Sequence, residues 1–188
     1  MQFVVYGDFN CPFSAVAARR AAVLEEAGEV TVDWRAVQHD PAIPRAGQPV
    51  EGALAAELDR EIAQISQLLA PGESLGLRRP PVRPHTGPAT AAYASTPSAR
   101  AAEARAMLFA AYWMSGRDIG QHEVLVELGV EPPAAVPASV ERWQAEWADV
   151  DRPMVPLMRL PDGTVSRGLG VLERLKPGQG PGVRSSSA

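Results

Sequence analysis

Apolar and polar positions change period several times along the chain, and each change marks an element. Phe3-Val4-Val5-Tyr6 is a short apolar run of β-formers and predicts a buried strand. Gly7-Asp8-Phe9-Asn10 is a turn. Pro12 suits a first helical turn, and Val16, Ala17, Arg20, Val23, Leu24 and Ala27 recur at helical spacing behind it, with Gly28 placed to end the helix. Val30-Thr31-Val32-Asp33-Trp34-Arg35 then alternates with period two, a second strand. Strand, helix and strand in such close succession make a βαβ unit with parallel strands and a right-handed crossover.

Between Gln38 and Pro49 the chain turns polar and rich in proline, which marks a boundary. Leu54, Leu58, Ile62, Ile65 and Leu69 then form one apolar stripe of an amphipathic helix. Pro71, Pro80, Pro81, Pro84 and Pro88 exclude a regular helix or central strand, so 71–88 reads as a loop. A long helix follows from Ser98 to Gly116, then a short one from Glu123 to Leu128 closed by Gly129. A third has Ser139 as its expected N-cap and runs through Val140, Trp143, Trp147 and Val150. Residues 50–150 thus read as all-helical. Beyond them, Met154 to Leu160 is strand-like, Pro161-Asp162-Gly163 is a turn, and Thr164 to Arg167 resumes a strand, an antiparallel hairpin. Leu169 to Leu175 forms a closing helix, and Lys176 to Ala188, rich in Gly and Ser, is expected to be a disordered tail.

Length and charge narrow the picture. The 188 residues suit one domain, or one domain carrying a large insertion. Eighteen basic against 22 acidic side chains leave a net charge of -4, which argues against an electrostatic nucleic-acid footprint. The single cysteine rules out an intrachain disulfide. The first residues lack the basic and apolar segments of a signal peptide, and no apolar run approaches the ~20 residues of a membrane span. The expected setting is cytoplasmic.

The chemistry concentrates at Asp8-Phe9-Asn10-Cys11-Pro12-Phe13-Ser14. The only thiol stands at the start of a helix, where first-turn N–H groups and the helix dipole favour negative charge. An ordinary thiol of pKa ~8.5 is about 3% thiolate at pH 7. A helix N-terminus can lower that pKa to ~6 and make the thiolate dominant, so the expectation is a nucleophile. The competing reading is a small buried hydrophobe. The second signal is Val155-Pro156 at the head of a strand, read either as a cis peptide or as an ordinary trans proline opening the strand.

In their order and spacing these features resemble the DsbA-type branch of the thioredoxin superfamily. The resemblance covers roughly residues 2–175, from the βα unit with Cys11-Pro12 through the helical stretch to the Val155-Pro156 hairpin and closing helix. It includes Ala106 to Trp113, Gly116-Arg117-Asp118-Ile119 and Val124-Leu125. It implies an α/β, thioredoxin-like fold whose core halves are 1–45 and 151–175, with a helical domain at 50–150 inserted between them. Cys11 would be the attacking cysteine, Pro156 a cis proline facing it, and Val155 a determinant of substrate preference. Pro12 and Phe13 would tune thiol pKa and access. Ser14 departs from the pattern, because a dithiol member carries its resolving cysteine there. A CPFS site forms a mixed disulfide at Cys11 that an external thiol must resolve. Ser14 could instead donate a hydrogen bond to the Cys11 thiolate.

The resemblance extends to kappa-class glutathione transferases and 2-hydroxychromene-2-carboxylate isomerases, which bind a small thiol and usually carry serine at the position of Cys11. Three functions follow. One is a thiol–disulfide oxidoreductase, one a thiol-dependent isomerase or transferase, and one a lapsed thioredoxin-like binding module. Expected partners are protein or small-molecule thiols and disulfides, without nucleic acid or membrane, and a homodimer stays open. No tightly bound cofactor or metal is expected, beyond a low-molecular-weight thiol. His39, His85 and His122 lie far apart and show no zinc spacing. Trp143 and Trp147, one turn apart, read as packing residues. Tyr93, Tyr112 and Trp113 are candidates to line a groove between core and insertion.

Overall fold

The computed structural model describes residues 2–177, so most of the expected disordered tail lies outside the described residues. The chain opens with β1 (Gln2–Gly7), α1 (Pro12–Glu26) and β2 (Thr31–Ala36). β1 and β2 pair in parallel, from Gln2 opposite Thr31 to Gly7 opposite Ala36. Pro12 sits in the first turn of α1, where its missing N–H costs no bond, and Gly28 takes a φ of 70° just beyond the last turn.

β3 (Gln48–Pro49), α2 (Gly52–Leu68), β4 (Val82–Arg83) and α3 (Gly87–Ser95) follow. After a 3-10 turn at Ser98–Arg100 come α4 (Ala101–Trp113), α5 (His122–Glu127) and α6 (Ala138–Ala148). The chain returns to the sheet with β5 (Leu157–Arg159) and β6 (Val165–Arg167) and closes with α7 (Leu169–Arg174). The main sheet has the order β2-β1-β5-β6, with β5 antiparallel to both neighbours. This is a thioredoxin-like α/β fold interrupted by a mainly helical stretch.

Several expectations need correction. The stretch 50–150 contains the strand β4, which pairs antiparallel with β3, so it is not wholly helical. α3 begins inside the proline-rich segment, because Pro88 occupies a first-turn position where proline is tolerated. Ser139 is not the N-cap of α6. The cap is Pro137, and no side-chain hydrogen bond closes that helix start. The strand expected from Met154 begins only at Leu157, because the preceding carbonyls bond outside the ladder. Met154 accepts from Trp147 Nε1 at 2.9 Å, Val155 from Cys11, and Pro156 from Gly168 N–H at 2.8 Å.

Helices α4, α2 and α7 pack on α1, while α3 and α6 pack on β2. One hydrophobic cluster joins Phe3, Val5 and Trp34 of the sheet to Tyr93, Leu108 and Phe109 of the helical stretch. Tyr93, Tyr112 and Trp113 are buried in it rather than lining a groove. Trp147 packs with Tyr6, Val37 and Leu157 in a second cluster. Arg20, placed by its spacing on the buried face of α1, is 1% exposed. It donates to both Glu73 carboxylate oxygens, at 2.8 and 2.6 Å, and to the carbonyls of Leu68 and Leu172, tying α1 to α2 and α7. A buried guanidinium is tolerated when every face has such a partner.

Candidate functional site

The sequence places Cys11 at the junction of β1 and α1, and the structure makes it the N-cap residue of the helix, with extended backbone. Its N–H donates to the Asp8 carbonyl at 3.1 Å, and its carbonyl accepts from Ala15 N–H at 3.2 Å. Trp113 of α4 steadies the same turn, donating from Nε1 to the Phe9 carbonyl at 2.9 Å. Gly7 leaves room there for Trp34, whose ring would lie 2.3 Å from a Cβ at that position.

The Cys11 side chain is half-buried, and its thiol donates to the Val155 carbonyl at 3.6 Å. The Val155-Pro156 peptide bond is cis. Two segments 144 residues apart therefore meet at the sulfur.

The expected lowering of the thiol pKa is not what the structure gives. Burial pushes the Cys11 thiol up to about 11, and the Asp8 charge adds to the rise. The Ser14 side chain and the backbone N–H groups of Ser14 and Phe13 pull the other way, as a helix start should, but they do not prevail. Desolvation penalises the thiolate more than the first-turn donors reward it. Ser14 is fully buried, and its hydroxyl makes no hydrogen bond of ordinary geometry among the described residues. Its pull is toward the sulfur.

Asp8 is the group that sequence reading missed, since an aspartate in a turn carries no distinguishing signal. It is fully buried below the turn. Its carboxylate accepts from His39 N–H at 2.8 Å, from the Thr86 hydroxyl at 2.8 Å and from Asn10 N–H at 3.3 Å. One side chain thus joins the β1–α1 turn, the segment after β2 and the start of α3. Burial raises its pKa, against the pull of those donors.

A cleft of ≈ 340 Å³ opens at Cys11. Pro12, Phe13 and Val155 line it, so these residues share one surface with the sulfur, whereas Ser14 and Pro156 lie buried behind it. α2 supplies the facing wall with Glu57, Leu58, Glu61 and Gln64, and His39 and Arg83 stand at the side. None of the α2 residues was legible as site residues, because their helix read only as an apolar stripe. Among the described residues no group of three or more His, Cys, Asp or Glu is placed to hold a metal ion. No described helix is long and apolar enough to cross a membrane.

A family model for the DSBA-like thioredoxin domain matches residues 2–140. The chain belongs to that family. Among solved structures, this DSBA-like chain is similar to a protein described as a probable DsbA oxidoreductase from Streptomyces coelicolor. Identity there is 22% and the TM-score 0.73, over 93% of this chain and 86% of that one. It is also similar to a 2-hydroxychromene-2-carboxylate isomerase, at 22% identity and a TM-score of 0.65, over 93% and 91% of the two chains. The cytosolic disulfide reductase DsbM from Pseudomonas aeruginosa, solved with glutathione, matches at 23% identity and a TM-score of 0.57, over 88% of each chain. Identities this low show the shared fold alone. No curated protein matches the DSBA-like chain significantly.

Proposed function

We propose that the chain is a monothiol thiol–disulfide oxidoreductase working at Cys11. The observation that carries this reading is the lone thiol at the head of α1, in contact with the Val155 carbonyl at 3.6 Å and lining an open cleft. The Cys11 thiolate attacks one sulfur of a disulfide. A Cys11–substrate S–S bond forms, the substrate S–S bond breaks, and the second substrate sulfur leaves as a thiolate. An external thiolate then attacks the substrate sulfur of the mixed disulfide; a new S–S bond joins those two sulfurs, the Cys11–substrate bond breaks, and Cys11 leaves as the thiolate. The two electrons stay within the exchanging sulfurs.

A thiol near pKa 11 is only about 0.01% thiolate at pH 7. Its higher nucleophilicity recovers part of that loss, leaving attack about a hundredfold slower than for a thiol matched to the ambient pH. Intact-mass measurement after exposure to a small disulfide tests the reading. The expected result is one adduct on Cys11, removed by free thiol and absent in Cys11→Ala. A folded chain that forms no adduct overturns it.

The protonated state of Cys11 favours a second reading. In a thiol-dependent isomerase or transferase, Cys11 stays neutral and donates its S–H to a bound small thiol, as a serine hydroxyl could. Turnover with an added thiol that survives Cys11→Ser favours this function over the first.

A further inference from the structure

The cleft at Cys11 has two unlike walls. On one side Phe13, Met154 and Leu169 present apolar surface, and Met154 and Leu169 stay 41% and 44% exposed. On the other, Glu57 and Glu61 stand one helical turn apart on α2. Neither carboxylate has an ion-pair partner among the described residues. The cleft's guanidinium, Arg83, is drawn to Asp40 at 3.5 Å. Asp8 adds a further negative charge below the sulfur. Burial and then the Glu57 charge raise the pKa of Glu61, and Arg83 and Arg60 counter them only in part, so carboxylates outnumber the one guanidinium along the cleft wall.

We infer that this cleft selects disulfides and thiols bearing a cationic group beside the sulfur, such as an amine, over anionic ones. The inference rests on the reading that Cys11 exchanges with a sulfur ligand in this cleft. The volume of ≈ 340 Å³ is at the small end of ligand pockets, enough for a small thiol or for a single residue of a chain. An ammonium group against Glu57 and Glu61 gains attraction on that wall. It also offsets the charge that Asp8 imposes on Cys11, so it favours the thiolate as it binds. An anionic thiol or disulfide meets repulsion at both places.

The test uses three small disulfides of similar size: cystamine, hydroxyethyl disulfide and dithiodipropionate, which are cationic, neutral and anionic. Rates of Cys11 adduct formation are followed by intact mass, each divided by the rate of the same disulfide with a neutral cysteine peptide. At low ionic strength the normalised cystamine rate should exceed the neutral one by about three- to tenfold, and the anionic rate should fall below it by a similar factor. The contrast should shrink in about 0.5 M salt, where the screening length is a few ångströms. It should largely vanish in Glu57→Gln/Glu61→Gln, checked for an unchanged melting temperature. Equal normalised rates, an anionic preference, or a contrast that survives the double substitution overturns the inference and leaves the oxidoreductase reading intact. Absence of every adduct from the folded chain, with labelling after denaturation, removes that reading and this inference together.

Discussion

The thiol of Cys11 donates to the backbone carbonyl of Val155, 144 residues away. This contact holds a proton on sulfur, because a carbonyl can accept from S–H but only repels a thiolate. Burial is the largest cause of the raised thiol pKa and the Asp8 charge adds to it, so the thiol stays neutral at a helix start built to favour its anion. Alkylation by iodoacetamide should therefore climb about tenfold per pH unit from neutrality upward, with the half-maximum near the value of about 11. A plateau reached by about pH 8 would show an ordinary or activated thiol instead.

Ser14 occupies the position one helical turn after Cys11 and is buried against the first turn. Ser14→Cys restores a dithiol pair at that spacing. The expected outcome is that oxidised variant protein loses two hydrogens in mass, blocks alkylation at both cysteines, and no longer accumulates a small-thiol adduct. A variant that still holds the adduct has its new sulfur out of reach. Ser14→Ala should raise the Cys11 pKa further, since the Ser14 side chain is the largest of the influences that lower it.

Arg20 and Glu73 join α1 to the segment after α2. Burial would raise the Glu73 pKa, but the Arg20 bonds and the Ala70 N–H outweigh it and hold the carboxyl below its ordinary 4.5. A carboxylate whose folded pKa is lowered stabilises the fold above its unfolded pKa, and this contribution fades as pH falls through the folded value. Glu73→Gln should leave Arg20 buried without its charge partner and cost about 3–5 kcal/mol at neutral pH. The cost should shrink below about pH 4.5, where the wild-type carboxyl begins to protonate. Urea melts at neutral and acid pH measure both, and a pH-independent cost contradicts the assignment.

The thioredoxin-like frame was legible because its signals are local. Phe3 to Tyr6, the spacing behind Pro12, and the hairpin turn at Pro161-Asp162-Gly163 each specify their element by periodicity or turn chemistry. The placement of Cys11 beside Pro12 followed from the same logic. The state of the thiol did not, because desolvation is set by residues distant in sequence such as Val155. The acidic wall was hidden for a similar reason. Glu57 and Glu61 look like any solvated helix face until the docking of α2 places them on the lining of the cleft that Cys11 shares. α3 escaped because proline was read as a breaker where it stands in a first turn. Ser139 misled because a good capping residue two positions past the true cap, Pro137, looks the same in sequence as one at the helix edge.

Asp8 offers the most direct handle on the thiol. Its carboxylate collects three donors, from His39, Thr86 and Asn10, and its charge raises the Cys11 pKa. Asp8→Asn removes the charge and keeps the shape. The Thr86 hydroxyl can turn to accept from the new amide, but a backbone N–H cannot, so His39 or Asn10 faces a donor in place of an acceptor. One unsatisfied buried donor costs about 1–3 kcal/mol, which a denaturant midpoint measures. The sign of the thiol effect is opposite to simple damage. Loss of a nearby negative charge stabilises the thiolate, so the alkylation profile of Cys11 should move to lower pH and the rate at about pH 8 should rise. Loosening of the turn alone would change accessibility at every pH and leave the midpoint in place. A folded Asp8→Asn chain with an unmoved midpoint therefore shows that Asp8 acts only as a structural tie among three loops.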